Sequence, residues 1–114
     1  MLGVDVVDIE RLRGLLESVP RLEARLFTKE ERVYCRSAFD PAESFAGTLA
    51  AKEAVIKALR LGPLVAWSSR IEIVRKPHGV PHASVRGGHG PPTEVPISIS
   101  HDGGVAVAVA LAAG

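Results

Sequence analysis

Valine and isoleucine crowd the first strand-length stretch of the chain, Leu2 to Ile9 (LGVDVVDI), broken only by acids at Asp5 and Asp8. A run this rich in β-branched residues predicts a buried strand. Asp8 is placed to cap a helix over about Ile9 to Ser18, which stops near Pro20. A short helical stretch follows over Arg21 to Leu26. Thr28-Lys29-Glu30-Glu31 has the capping-box pattern and opens a further helix to about Ser37. At Asp40-Pro41-Ala42-Glu43 an acid takes the cap position and proline the first helical one. That helix runs to about Arg60, ahead of Gly62-Pro63, and its apolar stripe is Phe45, Leu49, Ile56 and Leu59.

Beyond Gly62 the period becomes strand-like. Arg70 to Arg75 (RIEIVR) alternates, Pro77-His78-Gly79 reads as a turn, and Val80 to Arg86 returns as a hairpin partner. Gly87 to Pro92 (GGHGPP) is a loop. Val95 to Ser100 and Val105 to Ala112 are two more strands around the turn His101-Asp102-Gly103-Gly104. The order is one strand, then helices, then an antiparallel run of strands. It predicts an α+β fold in which an antiparallel sheet packs on the long central helix.

Composition narrows the class. At 114 residues the chain is one domain, 1–114, and a hydrophobic fraction of 46% argues against disorder. Fourteen basic and 13 acidic residues leave a net charge of +1, which gives no general attraction to nucleic acid. Arg11, Arg13, Arg21 and Arg25 nevertheless cluster early. A single cysteine, Cys35, suits a reducing compartment. The N-terminus lacks a basic region and carries an acid early, and no apolar run approaches the ~20 residues of a membrane span. The expectation is a cytoplasmic domain with no membrane or nucleic-acid partner.

Three features could carry chemistry. Asp5 stands where a buried strand would want an apolar residue, so it either faces solvent by alternation or has a cation or donors beside it. Glu53 and Lys57 lie one helical turn apart with Ala46 and Ala50 on the same flank. They read either as an ordinary surface pair or as an acid and a base with room for a ligand. His101 sits where a strand enters its turn, where a histidine faces solvent by default and a ligand when function requires it. Other motifs are weaker. Gly87-Gly88-His89-Gly90 runs into prolines rather than a helix, His78 and His82 lack a cysteine partner for zinc, and Cys35 has no histidine nearby in sequence.

In combination these segments resemble one family. Gly3-Val4-Asp5-Val6-Val7-Asp8-Ile9-Glu10-Arg11 resembles the opening strand of the holo-acyl-carrier-protein synthases. Ala50-Ala51-Lys52-Glu53-Ala54-Val55-Ile56-Lys57-Ala58 is similar to that family's central helix, and Ile97-Ser98-Ile99-Ser100-His101-Asp102 to its Ser-x-Ser/Thr-His strand. The resemblance implies transfer of 4′-phosphopantetheine from coenzyme A to a serine of an apo carrier protein, with release of 3′,5′-ADP. Asp5 and Glu53 would hold Mg2+, and Glu53 and Lys57 would act in catalysis. Lys57 and His101 would contact coenzyme A phosphates, with Gly79 and Pro81 near the nucleotide. Arg11 would meet the carrier protein, and the assembly would be a homotrimer with sites between subunits.

The pattern is departed from in three places: Thr48 replaces an arginine, residues 87–96 are too short for the family's helix before the last hairpin, and Val80 replaces a lysine. Position 48 lies ~140° around the helix from Glu53, so an arginine there would serve a neighbouring subunit's site, gripping the 3′-phosphate. Arg86 and Lys76 are the candidates to replace it. The competing reading is a degenerate, non-catalytic carrier-protein-binding module. A nuclease or actin-like ATPase would need a longer chain, and the ATPase a glycine-rich hairpin soon after the first strand.

Overall fold

The β-branched opening run does form a strand, and the element order follows the hydrophobic pattern closely. In the computed structural model, residues 1–76 and 79–113 are described. The elements are β1 (Leu2–Asp8), α1 (Ile9–Ser18), α2 (Leu22–Leu26), α3 (Lys29–Arg36), α4 (Pro41–Leu59), α5 (Leu64–Trp67), β2 (Ile71–Val74), β3 (His82–Val85), β4 (Thr93–Asp102) and β5 (Val105–Leu111). The strands make one antiparallel sheet in the order β1-β5-β4-β3-β2. β4 serves both halves of it. Its first residues, Thr93–Pro96, pair with β3, and Ile97–Asp102 pair with β5.

The caps behave as the sequence suggests, with one exception. Asp8 accepts from the Arg11 N–H at the start of α1, and Thr28 and Glu31 form a reciprocal capping box on α3. Asp40 makes no side-chain cap hydrogen bond on α4; its two oxygens accept from Arg13 (Nη1–Oδ1 2.9 Å, Nη2–Oδ2 3.0 Å). Proline at the first position and a left-handed Arg60 at the end still delimit the helix. The four-residue α5 was not predicted. The Pro77-His78 part of the expected turn lies outside the described residues.

α4 lies across β1, β5 and β4. Small residues let it lie close: Ala50, Ala51, Ala54 and Ala58 meet Ala108 and Ala110 in one buried cluster. A Cβ on Gly3 would sit 1.9 Å from the Ala54 carbonyl oxygen, so only glycine allows β1 this near the helix. Ala46 and Ala50 are fully buried in the core instead of bordering open space for a ligand.

A polar hub pins α4 to the rest of the domain. The Lys52 ammonium is wholly buried and donates to the carbonyls of Leu26 (2.9 Å) and Ser68 (2.5 Å) and to Glu31 (2.6 Å). Glu31 also accepts from the Thr28 and Ile73 N–H groups. Burial pulls the Lys52 ammonium below the ordinary lysine range despite Glu31 beside it. With every donor and acceptor matched, this hub ties α2, α3, α5 and β2 to one side chain.

The strand expected to be buried is buried on one face only. Gly3, Asp5 and Val7 face α4, while Val4 and Val6, 48% and 55% exposed, point away from it. On neighbouring β5, Ala106, Ala108 and Ala110 face inward, and Val105, Val107, Val109 and Leu111 line the outer face. The result is an apolar sheet surface with none of the described residues packed over it.

Candidate active site

The site residues expected from the sequence fall into two groups at opposite ends of α4. Around the helix's last turns, β1 brings Asp5 to Lys57, whose ammonium donates to Asp5 Oδ1 at 2.7 Å and to the Val4 carbonyl at 3.0 Å. The close approach at Gly3 makes this possible, since it seats β1 directly against Ala54 and Ala58. Asp5 therefore faces the helix and a cation rather than open solvent. Glu53 shares the neighbourhood. Burial first, and then the negative charge of Asp5, raise its carboxyl above the ordinary glutamate range, with Lys57 opposing them. The hydrogen bond to Asp5 raises the Lys57 ammonium above the ordinary lysine range, so it stays charged throughout the physiological range. The surface Glu53–Lys57 ion pair is not formed. Lys57 pairs across to β1 instead.

The donor set suits a hard divalent cation. Among the described residues no group of three or more metal-ligating side chains occurs, and two carboxylates with one lysine leave a negative charge in excess when both acids ionise. Magnesium characteristically takes one or two protein carboxylates and completes its octahedron with water and phosphate oxygens. Asp5 and Glu53 fit that demand, and the like-charge strain on Glu53 is what a cation would relieve.

At the other end, His101 Nε2 lies 3.1 Å from Glu43 Oε1 in the first turn of α4. His101 is the ninth residue of β4, paired with Ala106, and not part of a turn; the turn is Gly103-Gly104, both at positive φ. It borders a cleft of about 400 Å³ that Gly79, Pro81, Lys76, Arg75 and Tyr34 also line. His101, Gly79 and Pro81 thus share one cleft, while Asp5, Glu53 and Lys57 do not line it. Ten residues of helix at 1.5 Å each put Glu43 and Glu53 about 15 Å apart along the axis.

Several residues stand elsewhere than the sequence suggested. Thr48 is buried inside the chain, 2% exposed, bonded to the Ser44 carbonyl (2.9 Å) and the Cys35 sulfur (3.4 Å). Arg86 donates to Ser69 away from the cleft, so of the two candidates for the missing cation only Lys76 reaches it. Arg13 is engaged by Glu10 and Asp40, whereas Arg11, Arg21 and Arg25 are exposed. Arg75 and Tyr34 were missed: alternation assigned Arg75 to a strand edge, and nothing local in the sequence joins it to Tyr34.

Comparison with known proteins shows the family. A family described as the 4′-phosphopantetheinyl transferase superfamily matches residues 1–110, and the chain belongs to it. Within it the relatives are the holo-[acyl-carrier-protein] synthases, and the chain is an enzyme of that group. The synthase of Moorella thermoacetica is 39% identical, over 96% of this chain and 90% of its own. That of Beutenbergia cavernae is 40% identical, over 96% and 94%. The structure of the Helicobacter pylori synthase in complex with coenzyme A superposes with a TM-score of 0.77 at 27% identity, covering 97% of this chain and 98% of that one. A Bacillus anthracis synthase in complex with CoA (3′,5′-ADP) gives 0.77 at 29%, covering 96% and 91%.

Proposed function

We propose that this enzyme transfers 4′-phosphopantetheine from coenzyme A to a serine of an apo carrier protein, with Mg2+ and with release of 3′,5′-ADP. The observation that carries the reading is the meeting of Asp5, Glu53 and Lys57 where α4 crosses β1. Asp5 and Glu53 would hold the magnesium ion, which when bound would supply charge neutralisation at the donor's pyrophosphate. Lys57 places a permanent positive charge beside the same group, where negative charge grows as the nucleotide leaves. Glu53, whose proton affinity is raised, takes the proton from the serine hydroxyl, directly or through one water. His101, Gly79 and Pro81 hold the nucleotide end of the donor.

One chain holds these two halves about 15 Å apart along α4, so the reading includes a homotrimer in which one subunit's acids work with the next subunit's cleft. The uncovered valine face of β1 and β5 is the surface that copies of this chain would bury against one another. Arg11, exposed on the first turn of α1, is assigned to the carrier protein, and charge steering suits an acidic partner. We place the enzyme in the cytoplasm with its substrates; no helix among the described residues is long and apolar enough to cross a membrane.

Incubating the protein with coenzyme A, magnesium and an apo acyl carrier protein, then weighing the carrier, tests the reading. A gain of one phosphopantetheine is expected. Tight carrier binding without any mass gain would identify a non-catalytic binding module instead.

A further inference from the structure

The cleft beside His101 holds a cation to which the transfer reaction, as set out above, gives no task. Arg75 follows β2, and its guanidinium lies 5.2 Å from the ring centre of Tyr34. Nη1 donates to Ser44 Oγ at 3.0 Å and reaches the Ser44 carbonyl at 3.4 Å. Nη2 lies over Gly47, where a Cβ would come within 3.0 Å of it. An aromatic ring, one turn of α4 and the missing side chain at position 47 together fix the plane of the guanidinium.

Among the described residues no acid pairs with it. Two acids line the same cleft, but Asp40 is gripped by both terminal nitrogens of Arg13, and Glu43 faces His101. Among the described residues no carboxylate forms an ion pair with Arg75 or with neighbouring Lys76. A planar fork of donors, immobilised and left uncompensated in a concave surface, is matched to a phosphate or carboxylate.

On the reading that coenzyme A is the donor, we propose that Arg75 binds its 3′-phosphate monoester and sets the preference for coenzyme A over dephospho-coenzyme A. The charge at this subsite then comes from the residue after β2. Position 48 on α4, sealed beneath Cys35, cannot deliver it.

The test is the ratio of kcat/KM for coenzyme A and dephospho-coenzyme A in the wild type, Arg75→Gln and Arg75→Lys. Calorimetric binding of 3′,5′-ADP and 5′-AMP is measured on the same proteins. The wild type should favour the 3′-phosphorylated member of each pair. Arg75→Gln should shrink that preference by about ten- to a hundredfold, the range expected for one charge-assisted contact. Arg75→Lys should restore part of it. An undiminished preference in Arg75→Gln, or an equal loss on both members of each pair, would overturn the proposal, the second outcome marking a merely structural residue. The two readings fail separately. An Arg75-dependent nucleotide preference in a protein that modifies no carrier supports the phosphate site and removes the transferase reading. Transfer without such a preference does the reverse.

Discussion

Lys57 reaches across to Asp5 on β1 and not along its own helix to Glu53. The pair joins the two elements that supply the acids, so the ammonium orders both before any substrate arrives. It also leaves Glu53 without a direct ion pair, next to a like charge, in a partly buried place. That combination favours a cation ligand and a proton acceptor in the same residue.

Asp5→Asn and Glu53→Gln keep volume and remove one negative charge each. Each should lower transfer by at least about a hundredfold, the lower end for a lost acid–base group, and weaken magnesium binding. Steady-state rates across a magnesium titration, with circular dichroism as the fold control, check this. Near-normal turnover at limiting magnesium in either variant would remove that residue from the ligand set.

Val6→Asp and Val107→Asp place a charge on the outer sheet face without touching the α4 side. If copies of the chain cover that face, either change should turn the assembly into monomers and abolish transfer, with the secondary structure kept. Sedimentation velocity read alongside activity decides. A trimer that survives both changes would mean that another surface holds it together.

Gly3→Ala drives a methyl group into the Ala54 carbonyl, which backbone cannot yield cheaply. Overpacking of this kind costs about 1–3 kcal/mol, and for a domain of this size each kilocalorie moves the midpoint by roughly 4–8 °C. Thermal unfolding should show the loss. Because Asp5 sits two residues on, the magnesium requirement should rise as well, which a purely global destabilisation would not produce.

Glu23 gives a pH dependence of known sign. Burial would raise its carboxyl, but the guanidiniums of Arg36 and Arg32 outweigh that and hold it below the ordinary 4.5. A depressed carboxyl contributes stability that is fully present above its unfolded value and is lost as pH falls through the lower folded value. Wild-type stability should therefore drop more steeply below about pH 4.5 than that of Glu23→Gln. Parallel denaturant titrations at stepped pH test this, and coincident slopes would discount the α2–α3 ion pairs.

Hydrophobic period and caps made most of the elements legible, because β-branched alternation, a capping box and an Asp-Pro start are local signals. What escaped the sequence depends on distant contacts. The run at Leu2 to Ile9 reads as buried, yet Val4 and Val6 lie open in the single chain, since a run without alternation does not say what covers its second face. His101 looked like a turn residue because Asp102-Gly103 has turn chemistry, but the two glycines take the whole bend. Asp5, Glu53 and Lys57 were legible as oddities on a strand and a helix flank. Their meeting depends on Gly3 against Ala54, a fit with no local trace. Arg75 became visible only once Tyr34, Ser44 and Gly47 surrounded it.

The buried ammonium of Lys52 has a further use. Its side chain is 0% exposed, whereas that of Lys57, five residues along the same helix, is 51% exposed. At alkaline pH, where part of the Lys57 amine is free, an amine-reactive reagent should therefore acylate Lys57 in the native protein but leave Lys52 untouched until α4 separates from Leu26, Ser68 and Glu31. Peptide mapping of the two lysines over time would make one helix its own clock, with the first mark dating access to the catalytic end and the second dating global opening.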